Sequence, residues 1–212
     1  MNNPFDFFQE IWCINLDHRT DRWEHVQQEF ERIGIKDKVQ RFSAIKHEDG
    51  RIGLIKSFLS LFKYAKDKNL ENILIFEDDV KFIDDTVNIL NKSLQQFEKL
   101  KMPWGMFYFG ANTHTKLIKI APNLCLLKNA YAAHAICYHA RVFDDIINKF
   151  SKIERITQQS DINDVYFSSL QNKYNCFLVN PIIATQIPSY SDLEKKHVNY
   201  SFIEERFKNN IK

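Results

Sequence analysis

Glycine is scarce in this chain, with five among 212 residues and no glycine-rich loop, so the backbone cradle that many nucleotide enzymes wrap around a triphosphate is missing. Excess charge of one sign is missing too. Lys plus Arg outnumber Asp plus Glu by 29 to 27, and without a basic block the net charge of +2 gives no electrostatic basis for a nucleic-acid partner. The four cysteines, Cys13, Cys125, Cys137 and Cys176, form no C-x-x-C pair and lie in apolar stretches, as expected of reduced core thiols. No apolar run approaches the roughly 20 residues of a membrane span, and residues 1–6 lack the basic start and apolar run of a signal peptide. The expected location is the cytoplasm. Internal repeats and low-complexity linkers are absent as well, which leaves one globular domain over residues 1–212.

What the chain does contain is an ample core: 44% hydrophobic residues, with 18 phenylalanines that predict an aromatic-rich interior. Residues 9–16 read as a strand, and residues 17–33 as a helix capped by Asp17 or Thr20 and closed by Gly34. A second strand covers 39–45. Ile52, Ile55, Leu59, Phe62 and Ala65 then recur at helical spacing after the polar segment His47-Glu48-Asp49-Gly50. Strand 72–77 and helix 84–101, with acids in its first turn and lysines in its last, complete an alternating first half. Strands at 104–109, 124–127, 132–138 and 174–179, helices at 140–150 and 161–171, and a polar carboxyl-terminal region with a short helix make up the rest. Such alternation followed by a strand-rich half predicts an α/β fold with a mixed sheet.

The chemistry concentrates in Glu77-Asp78-Asp79, three carboxylates directly after the apolar strand Ile73-Leu74-Ile75-Phe76. Buried carboxylates require a cation or hydrogen bonds, and strand ends at the carboxyl edge of an α/β sheet are where ligand sites form. Strand alternation would point Glu77 and Asp79 to one side, where they could grip a divalent ion. As a plainer alternative, Asp78 and Asp79 are solvated turn residues. A second polar cluster ends the first strand: Asn15 or Asp17 could hydrogen-bond a base or ribose, and Arg19 or Arg22 could pair with phosphate. Helix capping and surface ion pairs are the competing explanation for the same residues.

Two stretches resemble glycosyltransferase family 25, which contains lipooligosaccharide-biosynthesis enzymes and collagen galactosyltransferases. Ile14-Asn15-Leu16-Asp17-His18-Arg19-Thr20-Asp21-Arg22 is similar to the family's opening I-N-L-D-x-R-x-D-R, and Leu74-Ile75-Phe76-Glu77-Asp78-Asp79-Val80 to its L-x-x-E-D-D-V strand end. Gly53-Leu54-Ile55-Lys56-Ser57-Phe58 resembles the helix start G-x-x-x-S-H, with Phe58 where histidine is usual and Leu54 where cysteine is common. Further matches are Phe109-Gly110, the strand around His134, Gln186, and Ser191-Asp192.

The resemblance implies a GT-A type nucleotide-binding sandwich and inverting transfer of galactose or glucose from a UDP-sugar, aided by Mn²⁺ or Mg²⁺, to a glycan or lipooligosaccharide acceptor. Asp79 would be the principal metal ligand, with Glu77 and Asp78 serving both metal and ribose. Asn15, Asp17, Arg19, Arg22, Ser57, His134 and Gln186 would frame the donor, and Asp192 could reach its phosphates or the acceptor. A core histidine is the simpler account of His134. Inversion requires a base, for which Asp161 and Asp164 in Ser160-Asp161-Ile162-Asn163-Asp164 stand at helical spacing. Asp161 is slightly favoured, although capping explains either residue. Two other classes compete: a metal-dependent nucleotidyltransferase, disfavoured by the missing glycine loop, and an inactive glycan-binding relative, prompted by Phe58. No nucleic acid is expected as a partner, and a lipid-linked acceptor would be met by peripheral contact.

Overall fold

The structure is a computed structural model and describes residues 3–191 and 196–211. Its first half runs β1 (Glu10–Asn15), α1 (Thr20–Arg32), β2 (Val39–Ser43), α2 (Gly50–Asp67), β3 (Asn72–Glu77), β4 (Val80–Phe82) and α3 (Thr86–Leu100). The second half contributes β5 (Met106–Tyr108), β6 (Asn112–Thr113), β7 (Ile118–Ala121), β8 (Leu124–Leu126), β9 (Ala130–Tyr131), β10 (Ala135–His139), α4 (Phe143–Phe150), α5 (Asn163–Lys173) and β11 (Cys176–Val179). It closes with β12 (Ala184–Gln186), β13 (Ser189–Ser191), β14 (Lys196–Val198) and α6 (Phe202–Asn210).

Eight strands form the central sheet in the order β2-β1-β3-β10-β5-β11-β8-β7. Strands β2, β1 and β3 are mutually parallel, while β10 enters antiparallel to both β3 and β5, so the sheet is mixed as the sequence pattern predicts. The chain leaves β1 for β2 on one side and returns to β3 on the other. That reversal is the topological switch point at which the strands' carboxyl ends leave a crevice.

Two apolar clusters cover the two faces of the sheet. Helices α2, α4, α5 and α6 contribute Phe58, Phe62, Phe143, Phe167 and Phe207 to one, and α1 and α3 contribute Phe30 and Phe97 to the other. Strand β3 is buried from Asn72 through Phe76, which explains its unbroken apolar run. Burying each such phenylalanine contributes about 2 kcal/mol. The four cysteines are free and buried. Among the described residues no helix is long and apolar enough to cross a membrane.

Several expectations need correction. Helix α1 starts with Arg19 at its N-cap and no side-chain cap, because the Asp17 carboxylate is turned to Arg41 and Ser43. Helix α3 starts at Thr86, leaving Asp84 and Asp85 before its first turn. Residues 132–134 break the strand expected at 132–138, with Ala132 at φ +79°. Strands β4 and β12, which pair antiparallel with Gln186 opposite Val80, were not anticipated at all. They are three residues each, too short for a hydrophobic period to register.

Candidate active site

The carboxyl ends of β1 and β3 lie side by side, with Ile14 opposite Glu77. Above them opens a cleft of about 280 Å³, lined among others by Arg22, His47, Glu77, Asp78, Asp79 and Gln186. The strand stops at Glu77, and Asp78-Asp79 form the turn into β4, so strand alternation does not govern where the three acids face.

Each acid has its own surroundings. Asp78 is buried and accepts hydrogen bonds from Asn15 Nδ2 at 2.7 Å and Arg22 Nη1 at 2.8 Å. Asp79, also buried, accepts from Gln186 Nε2 at 3.2 Å on both oxygens and lies 3.9 Å from Arg22. The half-buried Glu77 makes no side-chain hydrogen bond or ion pair among the described residues. Burial pushes all three carboxyls above their usual range. For Glu77, the charges of Asp79, Asp164 and Asp78 add to that push, and Arg22 offsets part of it for all three acids.

Among the described residues one guanidinium is in ion-pair contact with two of the three clustered carboxylates, and the third has no ion pair. Among the described residues no group of three or more His, Cys, Asp or Glu is arranged to hold an ion. Asp78 is committed to Asn15 and Arg22, while Glu77 and Asp79 remain as hard oxygen donors facing the cleft. Two carboxylates with open positions suit Mg²⁺ or Mn²⁺ completed by substrate phosphates, so the residues present fit such an ion.

Asn15 is fully committed to the protein: its amide donates to Asp78 and to the Arg19 carbonyl, and its oxygen accepts from Arg41 Nε at 2.9 Å. It fixes the acids and has no hydrogen left for a base or ribose. Asp17 is exposed and paired with Arg41, and Arg19 is tied to Asp21 and the Tyr190 carbonyl. Arg22 does reach the cleft. Besides Asp78 it donates to Ser189 Oγ and the Tyr190 carbonyl, while its buried Nε has no partner among the described residues.

Ser57 is buried inside α2 and holds a cleft wall from behind: Oγ accepts from Ile45 N and donates to the Gly53 carbonyl, each at 2.8 Å. A Cβ at Gly53 would collide with the Ile45 carbonyl, so this glycine lets the 44–49 loop lie against α2. His134 is likewise structural. Its ring is buried, bonds the Ala184 carbonyl at 3.2 Å, and fits beside Gly110, where a Cβ would strike both Ala184 and the ring. Burial lowers its pKa to about 4, so it is neutral, and its Nδ1 has no partner among the described residues. Phe58 points into the core against Phe62, Tyr138 and Phe167, so its departure from the family pattern does not touch the cleft.

The two candidate bases are not on one helix face. Asp161 closes a short 3-10 turn before α5, where its carboxylate accepts from Lys149 Nζ at 2.8 Å and from the Thr157 hydroxyl and the Thr157 and Gln158 amides. Those bonds, led by Lys149, hold it well below the usual carboxylate range. It lines a separate surface cavity with Lys149 and Arg155. Asp164, in the first turn of α5, accepts from Ala132 N at 3.1 Å, and burial raises its pKa to about 6. Its charge is also felt by Glu77. The left-handed backbone at Ala132, which costs about 1 kcal/mol in an alanine, aims the amide at Asp164. Sequence reasoning missed the cleft's other walls, His18, Lys46, His47 and Tyr200; the polar loop after β2 was the available signal for two of them. Asp192 lies outside the described residues.

Comparison with known proteins bears on the fold and the family. The fold resembles a glycosyltransferase involved in the glycosylation of the major capsid of PBCV-1, with a TM-score of 0.55 at 10% identity over 94% of this chain and 98% of that one. Procollagen galactosyltransferase 2 of Mus musculus is 30% identical over 129 residues, covering 49% of this chain and 21% of that protein. A probable inactive glycosyltransferase 25 family member 3 of Bos taurus is also 30% identical over 129 residues, with 49% and 22% coverage. The chain thus spans about a fifth of the length of these curated relatives. The profile of "Glycosyltransferase family 25 (LPS biosynthesis protein)" matches residues 48–186, which include the acidic triplet, Asp164 and Gln186, and with its GT-A fold the chain belongs to that family.

Proposed function

We propose that residues 1–212 form a single catalytic domain, a metal-dependent inverting hexosyltransferase moving galactose or glucose from a UDP-sugar to a glycan or lipooligosaccharide acceptor. The observation that carries this reading is the undercompensated acidic cleft, where among the described residues Arg22 alone makes ion pairs with the Glu77-Asp78-Asp79 triplet. Glu77 and Asp79 are the residues to hold Mn²⁺ or Mg²⁺, whose charge, when bound, offsets that of the departing UDP. Gln186 orients Asp79, Asn15 fixes Asp78, and Arg22 pairs with Asp78 while lying beside the diphosphate.

Asp164 accepts the proton of the acceptor hydroxyl as that oxygen bonds the anomeric carbon on the face opposite the phosphate. The bond between the anomeric carbon and the phosphate oxygen breaks with its electron pair leaving on UDP, and Asp164 later passes the proton to water. A carboxyl raised to about 6 suits this role, since it is ionised at neutral pH yet more basic than an ordinary aspartate. We place the reaction in the cytoplasm, where a lipid-linked acceptor would be met at a membrane surface without a spanning helix.

The test is UDP release from UDP-galactose and UDP-glucose, with and without Mn²⁺, alongside thermal shift. Metal-dependent release is expected, together with about 2.7 kcal/mol of stabilisation at 100 times the dissociation constant. Glycan binding without turnover would identify an inactive relative, and UTP and sugar 1-phosphate formed only when pyrophosphate is added, with no UDP released, would identify a nucleotidyltransferase. Absence of any metal-dependent shift with every nucleotide sugar would sink the proposal.

A further inference from the structure

Beside Asp164 lies a polar and aromatic surface that the donor cleft does not use. Ala132, whose amide holds Asp164, follows Tyr131 directly, and Tyr131 in β9 is paired with Asn112 in β6. The half-buried Tyr131 ring belongs to neither apolar cluster, and its hydroxyl has no hydrogen bond among the described residues. It meets the exposed His114 ring edge-on, with centroids 4.9 Å apart.

Helix α6 closes the other side. Exposed Arg206 donates from Nη1 to Asn112 Oδ1 at 2.8 Å and to His114 Nε2 at 3.4 Å, and its guanidinium covers Phe202 at 5.0 Å. Phe202 packs on Tyr200, which lines the donor cleft. Asn210 of the same helix anchors β6 through Thr113. A chain of contacts therefore runs from the donor cleft through Tyr200, Phe202, Arg206, His114 and Tyr131 to Ala132 and Asp164.

We infer that this surface, built by Tyr131, His114, Asn112 and Arg206, binds the terminal pyranose of the acceptor and presents its hydroxyl to Asp164. An amphipathic aromatic ring covers the apolar face of a sugar, and planar amide, imidazole and guanidinium groups match its vicinal hydroxyls. Arg206 Nη1 lies 3.4 Å from His114 Nε2, and burial and the Arg206 charge lower the pKa of that ring. The left-handed Ala132 connects the two functions, placing the sugar platform one residue from the amide that holds the base. The inference rests on the transferase reading above.

Saturation-transfer NMR tests it on the full chain, with UDP and Mn²⁺ as the donor-site probe. Methyl β-galactopyranoside, methyl β-glucopyranoside and methyl β-N-acetylglucosaminide serve as acceptor probes. At least one glycoside should receive saturation, and Arg206→Ala, His114→Ala and Tyr131→Leu should each weaken its binding about ten-fold while UDP binding is unchanged. Arg206 and His114 are exposed, so the outcome rests on those two variants if Tyr131→Leu misfolds. UDP binding with no glycoside signal, or a glycoside signal that these variants leave unaltered, overturns this inference alone. Failure of the unmutated chain to bind UDP tells against the donor reading and carries this one with it.

Discussion

Arg22 Nη1 stands 2.8 Å from Asp78 Oδ1, and both side chains are nearly withdrawn from water, at 12% and 10% exposure. A pair in this position is costly to break from one side, because the survivor keeps its charge without its partner. Arg22→Ala should lower stability by about 3 kcal/mol in urea unfolding. Asp78→Asn should cost less, since the one remaining amide oxygen still accepts from Arg22 or from Asn15. Combining the two should recover part of the Arg22→Ala loss, and strict additivity would mean that the contact contributes nothing.

Asp79 and Asp78 should separate functionally despite being neighbours. Asp79→Asn is expected to abolish the Mn²⁺-dependent thermal shift with UDP and the metal-dependent turnover. Asp78→Asn should leave both measurable, because Asp78 is directed at Arg22 and Asn15. Equal losses in the two variants would contradict the assignment of Glu77 and Asp79 as the metal-holding pair.

The two candidates for the base predict opposite outcomes. Asp161→Asn should reduce stability, since Lys149, Thr157 and Gln158 converge on that carboxylate, while turnover per folded molecule stays within a few-fold. Asp164→Asn should cut kcat by about 10² to 10⁴. Single-turnover rates normalised to folded protein distinguish the two.

Asp164 also fixes the sign of two pH effects. Turnover should fall about ten-fold per unit as pH drops below about 6, where the base becomes protonated. Stability moves the other way. A carboxyl raised from 3.8 to about 6 disfavours the folded state increasingly between those values and by a constant amount above them. Asp164→Asn should therefore raise stability on the order of 2 kcal/mol at about pH 7 to 8, with the advantage vanishing below about pH 4.

The wall formed by residues 44–49 should loosen when its ties to α2 are cut. Ser57→Ala removes the acceptor of the Ile45 amide and should cost about 1 kcal/mol, with a rise in donor KM larger than the fall in kcat. Gly53→Ala should cost more, because the new methyl meets the Ile45 carbonyl. Donor KM unchanged in both variants would show that the loop does not shape the donor site.

The sequence by itself determined what rests on local pattern. The apolar run before Glu77 read as a buried strand, the i, i+3, i+4 spacing from Ile52 to Ala65 marked a helix, and three adjacent carboxylates at that strand's end called for compensation if buried. It also carried the family resemblance through to Gln186. The tertiary structure decided everything that depends on partners distant in the chain. Asn15, Ser57 and His134 hydrogen-bond protein atoms that the sequence pattern could not name: Asp78 is 63 residues from Asn15, and Ala184 is 50 from His134. Asp161 and Asp164 share a spacing but not a surrounding, because one sits in a 3-10 turn against Lys149 and the other enters α5 beneath Ala132. Hydrophobic periodicity reports which face of an element is buried; it carries no information about which polar group arrives from another strand to meet it, and that meeting sets the charge and protonation of every acid in the cleft.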